Sequence, residues 1–253
     1  MSKISVIDYI NTPYNQIWVY EMSGERCLSF IDPTIRTARQ SCMAVDHPLN
    51  LTLTYYRLMM GALYINPNPQ NILVIGLGGG IIINTLSSIF PDAIIDIVEI
   101  NKYVIDVAKK YFSFNPSKNI RVFTEDGFKF VEELPNRPIY DLIMADAFTE
   151  DYVPMSFLTE EFVSKMRDVL KPGGVVAVNT FENSKYYNLE SALYKKVFNN
   201  FYSATLFNRI IFAIKDRLPN MDEIAKNAEI MEPTLSKVGV KRAWLLPKFV
   251  LND

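Results

Sequence analysis

The segment that most constrains the fold of this chain is NILVIGLGGGIIINTLSSIF, residues 71–90. A short apolar run reaches a glycine cluster, Gly76, Gly78, Gly79 and Gly80, and a second apolar run follows at once. Glycine permits positive φ and lets a ligand approach the backbone closely at the start of a helix. The pattern predicts a buried strand, a tight turn and a helix. The turn either binds a ligand through its backbone or is only a structural connection.

From this turn onward, apolar strands alternate with helices. The predicted strands are ILVIG, AIIDIVEI, NIRVFTED, YDLIMADAF and VVAVNTF. Val- and Ile-rich strands that are separated by helices indicate a parallel sheet covered on both faces. Two later apolar runs, ATLF and RIIFAIK, are expected to close this sheet as an antiparallel edge.

The chain before this region has a different pattern. The runs QIWVYE and RCLSFID are divided by MSGE, which predicts β-hairpins with a glycine-containing turn. We therefore predict a small N-terminal β domain over residues 1–48 and an α/β domain over residues 49–253. Residues 50–64 have the spacing of a single helix.

Composition limits the partners and the chemistry. Lys and Arg total 26 against 28 Asp and Glu, so the net charge is −2 and nucleic acid is not expected as a partner. The chain begins without a signal-peptide pattern and has no apolar span of about 18 residues, so a cytoplasmic protein without membrane contact is expected. One histidine, His47, and two cysteines, Cys27 and Cys42, offer neither a metal cluster nor a disulfide framework, and both cysteines are expected to fill apolar gaps.

Acidic residues follow three of the predicted strands. Glu99 is placed to accept the hydroxyls of a ribose, and Asp126 with Gly127 suits an adenine pocket, although a solvated Glu99 and an ordinary Asp-Gly turn are the alternatives. Asp146 ends the fourth strand, where the reacting end of the ligand would lie. Glycines and three acids at consecutive strand ends are more specific than any one of them.

The spacing of the glycines favours one ligand class. GLGGG differs from the GxGxxG of nicotinamide-binding turns, and LKPGG before the fifth strand is typical of S-adenosylmethionine-type folds. We therefore predict a Rossmann-like, doubly wound α/β sheet of the S-adenosylmethionine-dependent methyltransferase type, with an adenosyl-sulfonium ligand.

With these motifs in view, the chain resembles the spermidine synthase family of polyamine aminopropyltransferases, in its bacterial spermidine synthase-like branch. The resemblance covers about residues 10–215, through TPYNQIWVYE, RQSCM, YYRLMMGAL, GLGGG, VEINKYVIDVAKKYF, EDGFKF, DAFTEDYVPMSFLTEEF and LKPGG. It implies aminopropyl transfer from decarboxylated S-adenosylmethionine to a diamine such as putrescine, with methylthioadenosine as the product. It also implies a homodimer and no metal.

The resemblance assigns roles to individual residues. Asp146 aligns with the catalytic aspartate of the family, and we predict that Tyr56 acts beside it. The donor is expected to contact Asn15, Gly76, Gly78, Gly79, Glu99, Asp126 and Gly127. The amine substrate is expected to contact Thr149, Glu150, Asp151 and Tyr152.

The amine half of the site departs from the family pattern. Gly79 stands where the family has an aspartate that grips the aminopropyl donor, and Arg57 with Leu58 replaces two polar residues of the family helix. If Arg57 enters the site it opposes a cationic acceptor, so an acidic or neutral acceptor is one alternative. The other is that Arg57 faces solvent or pairs with a surface acid. A methyltransferase that uses intact S-adenosylmethionine and a non-catalytic nucleoside-binding homologue are the other functions to weigh.

Overall fold

The computed structural model describes residues 3–147 and 154–252, and its N-terminal part is a four-stranded antiparallel sheet. The strands pair in sequence order. They are β1 (Ser5–Asn11), β2 (Gln16–Met22), β3 (Glu25–Ser29) and β4 (Ser41–Ala44). Ser23 and Gly24, both at positive φ, form the turn between β2 and β3, and such turns suit the twist of a hairpin.

Cys27 and Cys42 form a disulfide between β3 and β4. The expectation that the two cysteines are unbonded is therefore wrong. Both side chains are fully buried, as expected. The antiparallel register places the two residues directly opposite each other, with their Cα atoms 4.1 Å apart. This pairing depends on the strand register, which a sequence with two isolated cysteines does not reveal.

The second sheet has eight strands in the order β12-β10-β11-β9-β8-β5-β6-β7. Its strands are β5 (Asn71–Ile75), β6 (Ile94–Val98), β7 (Ile120–Phe123), β8 (Tyr140–Ala145), β9 (Leu170–Phe181), β10 (Phe201–Leu206), β11 (Asn208–Ile214) and β12 (Phe249–Asn252). β5 to β9 are parallel, and β10, β11 and β12 join them as the antiparallel edge. The order of the strands reverses between β5 and β8, which is where ligands bind in doubly wound sheets.

Helices connect and cover these strands. They are α1 (Thr54–Met59), α2 (Ala62–Ile65), α3 (Ile81–Ile89), α4 (Lys102–Tyr111), α5 (Gly127–Glu133), α6 (Glu160–Val169), α7 (Tyr187–Phe198), α8 (Met221–Leu235) and α9 (Arg242–Leu245). The single helix predicted over residues 50–64 is divided into α1 and α2 at Gly61. A Cβ at Gly61 would lie 2.8 Å from the ring of Phe212, so the glycine allows close packing of this segment on the sheet.

The core lies on both faces of the eight-stranded sheet. Alternate residues of β5 face opposite clusters: Ile72 and Val74 enter one, and Leu73 and Ile75 enter the other. Buried residues of the N-terminal sheet, including Ile17, belong to the first cluster, so the two sheets pack against a continuous core. The domain boundary predicted between residues 48 and 49 falls between β4 and α1 and stays a prediction.

Candidate active site

A cavity of about 560 Å³ opens at the carboxyl ends of β5, β6 and β8, next to the N-terminal sheet. The residues that follow these strands, and the one that precedes α5, share its wall. The predicted site residues on the wall are Asn15, Tyr56, Gly76, Gly78, Glu99, Asp126, Gly127 and Asp146. Gly79 is buried behind the turn and is not a lining residue. The predicted substrate contacts Thr149, Glu150, Asp151 and Tyr152 lie outside the described residues.

Gly76 brings the ends of three strands together. Its φ is 94°, and a Cβ there would overlap the backbone of Asp146, whose carbonyl carbon would be 2.9 Å away. The Gly76 N–H donates to the carbonyl of Val98 at 2.8 Å, and the Asp146 N–H donates to the carbonyl of Ile75 at 2.9 Å. The glycine therefore allows the turn to pass directly against the strand end that carries Asp146.

Glu99 lies at the end of β6 with both carboxylate oxygens held by the backbone. Leu77 donates its N–H to Oε2 at 3.0 Å, and Asn101 donates its N–H to Oε1 at 2.9 Å. Burial raises the pKa of the Glu99 carboxyl, and these backbone donors act in the opposite direction. Each oxygen keeps a further lone pair that a hydroxyl can use, so the solvated alternative does not describe this residue.

Asn101 is a site residue that the sequence reasoning missed. It is almost fully buried, caps α4, and donates from Nδ2 to Asn15 Oδ1 and to Thr12 Oγ1, both at 3.2 Å. It thereby links the β1–β2 turn to Glu99. The signal that was available is an Asn directly before a helical pattern, which is a preferred N-cap.

Asp126 is exposed at the N-terminus of α5, where its Oδ1 accepts from the N–H of Lys129 at 3.0 Å. Its other oxygen is not needed for this cap. Gly127 follows in close contact with the core, because a Cβ there would lie 2.5 Å from Ile75 Cγ2 and 3.1 Å from the ring of Phe157. The Asp-Gly pair is therefore a helix start at the cavity wall and not an isolated turn.

Tyr56 on α1 is 2% exposed, and its hydroxyl connects the N-terminal sheet with the glycine turn. The hydroxyl lies 2.6 Å from Ser41 Oγ and accepts from the Cys42 N–H at 3.2 Å. Ser41 Oγ in turn accepts from the Gly79 N–H at 2.9 Å. Burial raises the pKa of Tyr56. These contacts give Tyr56 a structural role in the site. Its catalytic role stays a prediction.

Asp146 follows β8 and reaches the cavity with a defined polar partner. Asn179 on β9 donates from Nδ2 to Asp146 Oδ1 at 2.8 Å. Burial raises the pKa of the Asp146 carboxyl to about 7, and hydrogen bonds from Asn179 and Tyr55 oppose this rise. A carboxyl group that titrates near neutral pH is suited to take a proton from a reacting group.

Arg57 does not contribute its charge to the cavity. Its guanidinium donates to the carbonyl of Thr52 at 2.9 Å and lies 5.6 Å from the ring centroid of Trp244. Arg57 is also not a lining residue. The alternative in which Arg57 repels a cationic acceptor from inside the site is therefore wrong. The alternative in which it pairs with a surface acid also differs from the contacts found.

Two further features concern the described residues, 3–147 and 154–252. None of their helices is both long and apolar enough to cross a membrane. Within the same ranges, no group of three or more His, Cys, Asp and Glu side chains is arranged to hold a metal ion.

Known proteins are similar to this chain in sequence and in fold. A polyamine aminopropyltransferase of Vibrio vulnificus (strain CMCP6) is 35% identical over 234 residues, which cover 90% of this chain and 78% of that protein. The crystal structure of a probable spermidine synthase from Corynebacterium glutamicum ATCC 13032 matches with a TM-score of 0.77 and 17% identity, over 97% of this chain and 90% of that one. That of human methyltransferase-like protein 13 in complex with SAH matches with a TM-score of 0.64 and 26% identity, over 73% of this chain and 93% of that one.

These neighbours confirm the predicted Rossmann-like fold of the methyltransferase type with a small N-terminal sheet. Residues 53–215 match the spermine/spermidine synthase domain, and this range contains the glycine turn, Glu99, Asp126 and Asp146. The resemblance inferred from the motifs is thus confirmed, and the chain belongs to the spermine/spermidine synthase family.

Proposed function

We propose that this protein is an aminopropyltransferase that moves the aminopropyl group of decarboxylated S-adenosylmethionine to a polyamine-type amine. The observation that carries the proposal is the shared cavity of Glu99, Asp126 and Asp146, with the glycine turn between them. Family membership and the name of the Vibrio vulnificus relative support the same reaction.

The donor would be held by the residues at the ends of the first three parallel strands. Glu99 offers lone pairs to ribose hydroxyls, and Asp126 offers its second oxygen to an exocyclic amine. Gly76 and Gly78 leave the backbone open to a nucleoside, and Asn15 lines the same cavity. The cavity of about 560 Å³ is within the usual range for small-molecule sites.

Asp146 would act on the acceptor amine. The amine nitrogen attacks the carbon next to the sulfonium, a C–N bond forms, the C–S bond breaks, and methylthioadenosine leaves with the electron pair on sulfur. The amine loses one proton, which the Asp146 carboxylate accepts. The sulfonium is already a good leaving group, so holding the two reactants in line accounts for most of the acceleration. No step of this reaction needs a metal.

The test is product analysis with the purified protein. It is incubated with putrescine and either decarboxylated or intact S-adenosylmethionine, and mass spectrometry follows the nucleoside and amine products. We expect methylthioadenosine and an aminopropylated amine from the decarboxylated donor, and neither from Asp146→Asn. Absence of methylthioadenosine with every diamine tried would contradict the proposal, and absence of donor binding at millimolar concentration in calorimetry would favour a non-catalytic homologue.

A methyltransferase is the second candidate, and the surroundings of Gly79 favour it. A Cβ at Gly79 would lie 2.9 Å from Ser41 Oγ and 3.0 Å from the ring of Phe112, so an acidic side chain that selects the aminopropyl amine has no room there. Arg39 also lines the cavity and offers a positive charge that would suit a donor carboxylate, although it pairs with Glu25. In the same assay this function would produce S-adenosylhomocysteine and a methylated acceptor.

We further propose a cytoplasmic homodimer that binds neither nucleic acid nor membrane. The family resemblance supports the dimer, and the near-neutral net charge of −2 supports the absence of a polyanionic partner. Light scattering after size-exclusion chromatography measures the assembly directly, and a mass near 29.0 kDa, that of one chain, would contradict the dimer.

A further inference from the structure

Two asparagines on neighbouring antiparallel strands form a hydrogen-bonded chain that ends on Asp146. Asn208 donates from Nδ2 to Asn179 Oδ1 at 3.0 Å, and Asn179 donates from Nδ2 to Asp146 Oδ1 at 2.8 Å. Asn179 is 2% exposed, and both asparagines line the cavity. No sequence motif singles out Asn179 or Asn208.

The register of β9 and β11 explains how the two side chains meet. Asn179 pairs with Ile210, so Asn208, two residues before Ile210, is its diagonal neighbour on the same face of the sheet. Asn208 is also the first residue of β11, directly after the turn at Phe207. The hairpin between β10 and β11 therefore delivers the second amide to the wall of the cavity.

The direction of these two hydrogen bonds determines which protonation state of Asp146 they favour. An asparagine amide has a donor end and an acceptor end. Because Asn208 donates to the oxygen of Asn179, a flip of the Asn179 amide would place two NH₂ groups together and its oxygen against the carboxylate. The Asn179 amide is thus held with its donor toward Asp146.

We propose that Asn179 is a positioning residue that holds the Asp146 carboxylate for the attacking amine, and that Asn208 fixes the direction of the Asn179 amide. This inference rests on the proposed function for the identity of the attacking group. The bond from Asn179 to Oδ1 at 2.8 Å fixes the orientation of the Asp146 carboxylate in which the amine would meet it. The hydrogen bond from Asn179 also stabilises the ionised carboxylate of Asp146. Burial acts in the opposite direction, because it raises the pKa of this carboxyl.

Other charged and titratable groups lie around Asp146 or share its cavity. Tyr55 and Tyr56 come from α1, and the charge on Asp146 contributes to the raised pKa of each tyrosine. Arg39, Glu99 and Asp126 line the same cavity. None of these residues is changed in the test, so a shift in the titration of Asp146 reports on the two asparagines.

The test combines a mutant cycle with a titration that does not require activity. Asn179→Ala, Asn208→Ala and the double variant are compared in transfer rate against pH, and the Asp146 carboxyl is titrated by carbon-13 NMR. We expect Asn179→Ala to lower kcat at pH 7 by about 10- to 100-fold with KM for the amine little changed, and to raise the pKa of Asp146 by about one unit. Asn208→Ala should act in the same direction but less strongly.

The double variant distinguishes positioning from general structural support. If Asn208 acts through Asn179, the double variant matches Asn179→Ala, whereas independent structural effects would add. Asn227→Ala is the matched control, because Asn227 donates a similar bond to the Tyr64 carbonyl away from the cavity. Additive losses, or an unshifted Asp146 titration in Asn179→Ala, would overturn the proposal. If the shift is present but no aminopropyl transfer occurs, the proposed function fails and the positioning role stands.

Discussion

The hydroxyl of Tyr56 lies 2.6 Å from Oγ of Ser41, and this contact joins helix α1 to the strand that supports the glycine turn. Ser41 passes the connection on, because its Oγ accepts from the Gly79 N–H at 2.9 Å. The N-terminal sheet is therefore a structural part of the proposed donor site. Its contribution is to hold the turn in the conformation that a nucleoside would meet.

Tyr56→Phe tests this connection. The change leaves the buried Cys42 N–H without its acceptor, so we expect the free energy of unfolding to fall by about 1–2 kcal/mol. Donor affinity should fall by about 3- to 10-fold because the glycine turn loses support. Urea denaturation and calorimetry measure the two effects. Tyr202→Phe, which removes a hydroxyl bound to the Pro219 carbonyl, is the control and should leave donor affinity unchanged.

Gly79→Ala tests the crowding behind the turn. The added methyl would meet Ser41 Oγ and the Phe112 ring, so we expect a loss of about 1–3 kcal/mol in unfolding free energy. Ser41→Ala removes one of these contacts, and the double variant should lose less than the sum of the single changes. A fully additive result would show that the two positions are not in contact. Denaturation of all four proteins gives the coupling energy.

The parts of the site that sequence could predict are those set by chain connectivity. Glu99 and Asp146 directly follow buried parallel strands, and all such strands place their carboxyl ends on one edge. Gly76 was predictable for the same reason, because a strand-to-helix turn at this edge needs its positive φ.

The parts that sequence could not predict depend on contacts between distant segments. The bond between Cys27 and Cys42 requires the register of β3 and β4, and the bond between Asn179 and Asn208 requires that of β9 and β11. Asn101 had only a local cap signal. Register depends on which faces are buried in the folded protein, and no motif in the chain carries that information.

The buried pair of Arg209 and Glu190 should be a main determinant of stability near the cavity. Arg209 is 0% exposed, donates to Ser191 Oγ at 2.9 Å, and lies 3.9 Å from the ring centroid of Tyr187. It therefore ties α7 to β11. Its Nη1 is 3.9 Å from Glu190 Oε2. Burial lowers the pKa of Arg209 and raises that of Glu190, as expected for charges that are costly to bury.

Arg209→Met should lower the free energy of unfolding by about 3–5 kcal/mol, because Glu190 would remain buried without a cation. The double variant with Glu190→Gln should recover part of this loss. Arg217→Met, which breaks the exposed pair with Glu223, should have a much smaller effect. Guanidinium denaturation measures all three. Equal losses for Arg209→Met and Arg217→Met would mean that burial of the pair adds nothing.

Asp146→Asn separates the proposed catalytic role of this carboxylate from the destabilisation that its burial causes. Burial raises the pKa of Asp146 from an ordinary 3.8 to about 7, so the folded state binds this proton more tightly than the unfolded chain does. The resulting loss of stability is absent below pH 3.8, grows as pH rises to about 7 and is complete above it. Asparagine avoids this cost, and its carbonyl oxygen can still accept from Asn179.

We therefore expect Asp146→Asn to increase the free energy of unfolding by about 1–3 kcal/mol at pH 8 and by about half as much or less at pH 5. Transfer activity should fall by about 10²- to 10⁴-fold, since the group that receives the proton is gone. Denaturation at both pH values checks the first effect, with the exposed Asp92→Asn as the control for loss of one negative charge. Equal gains for Asp146→Asn at pH 5 and pH 8 would show that burial does not destabilise the Asp146 carboxylate. The ability of Asp146 to accept a proton near neutral pH would then need another explanation.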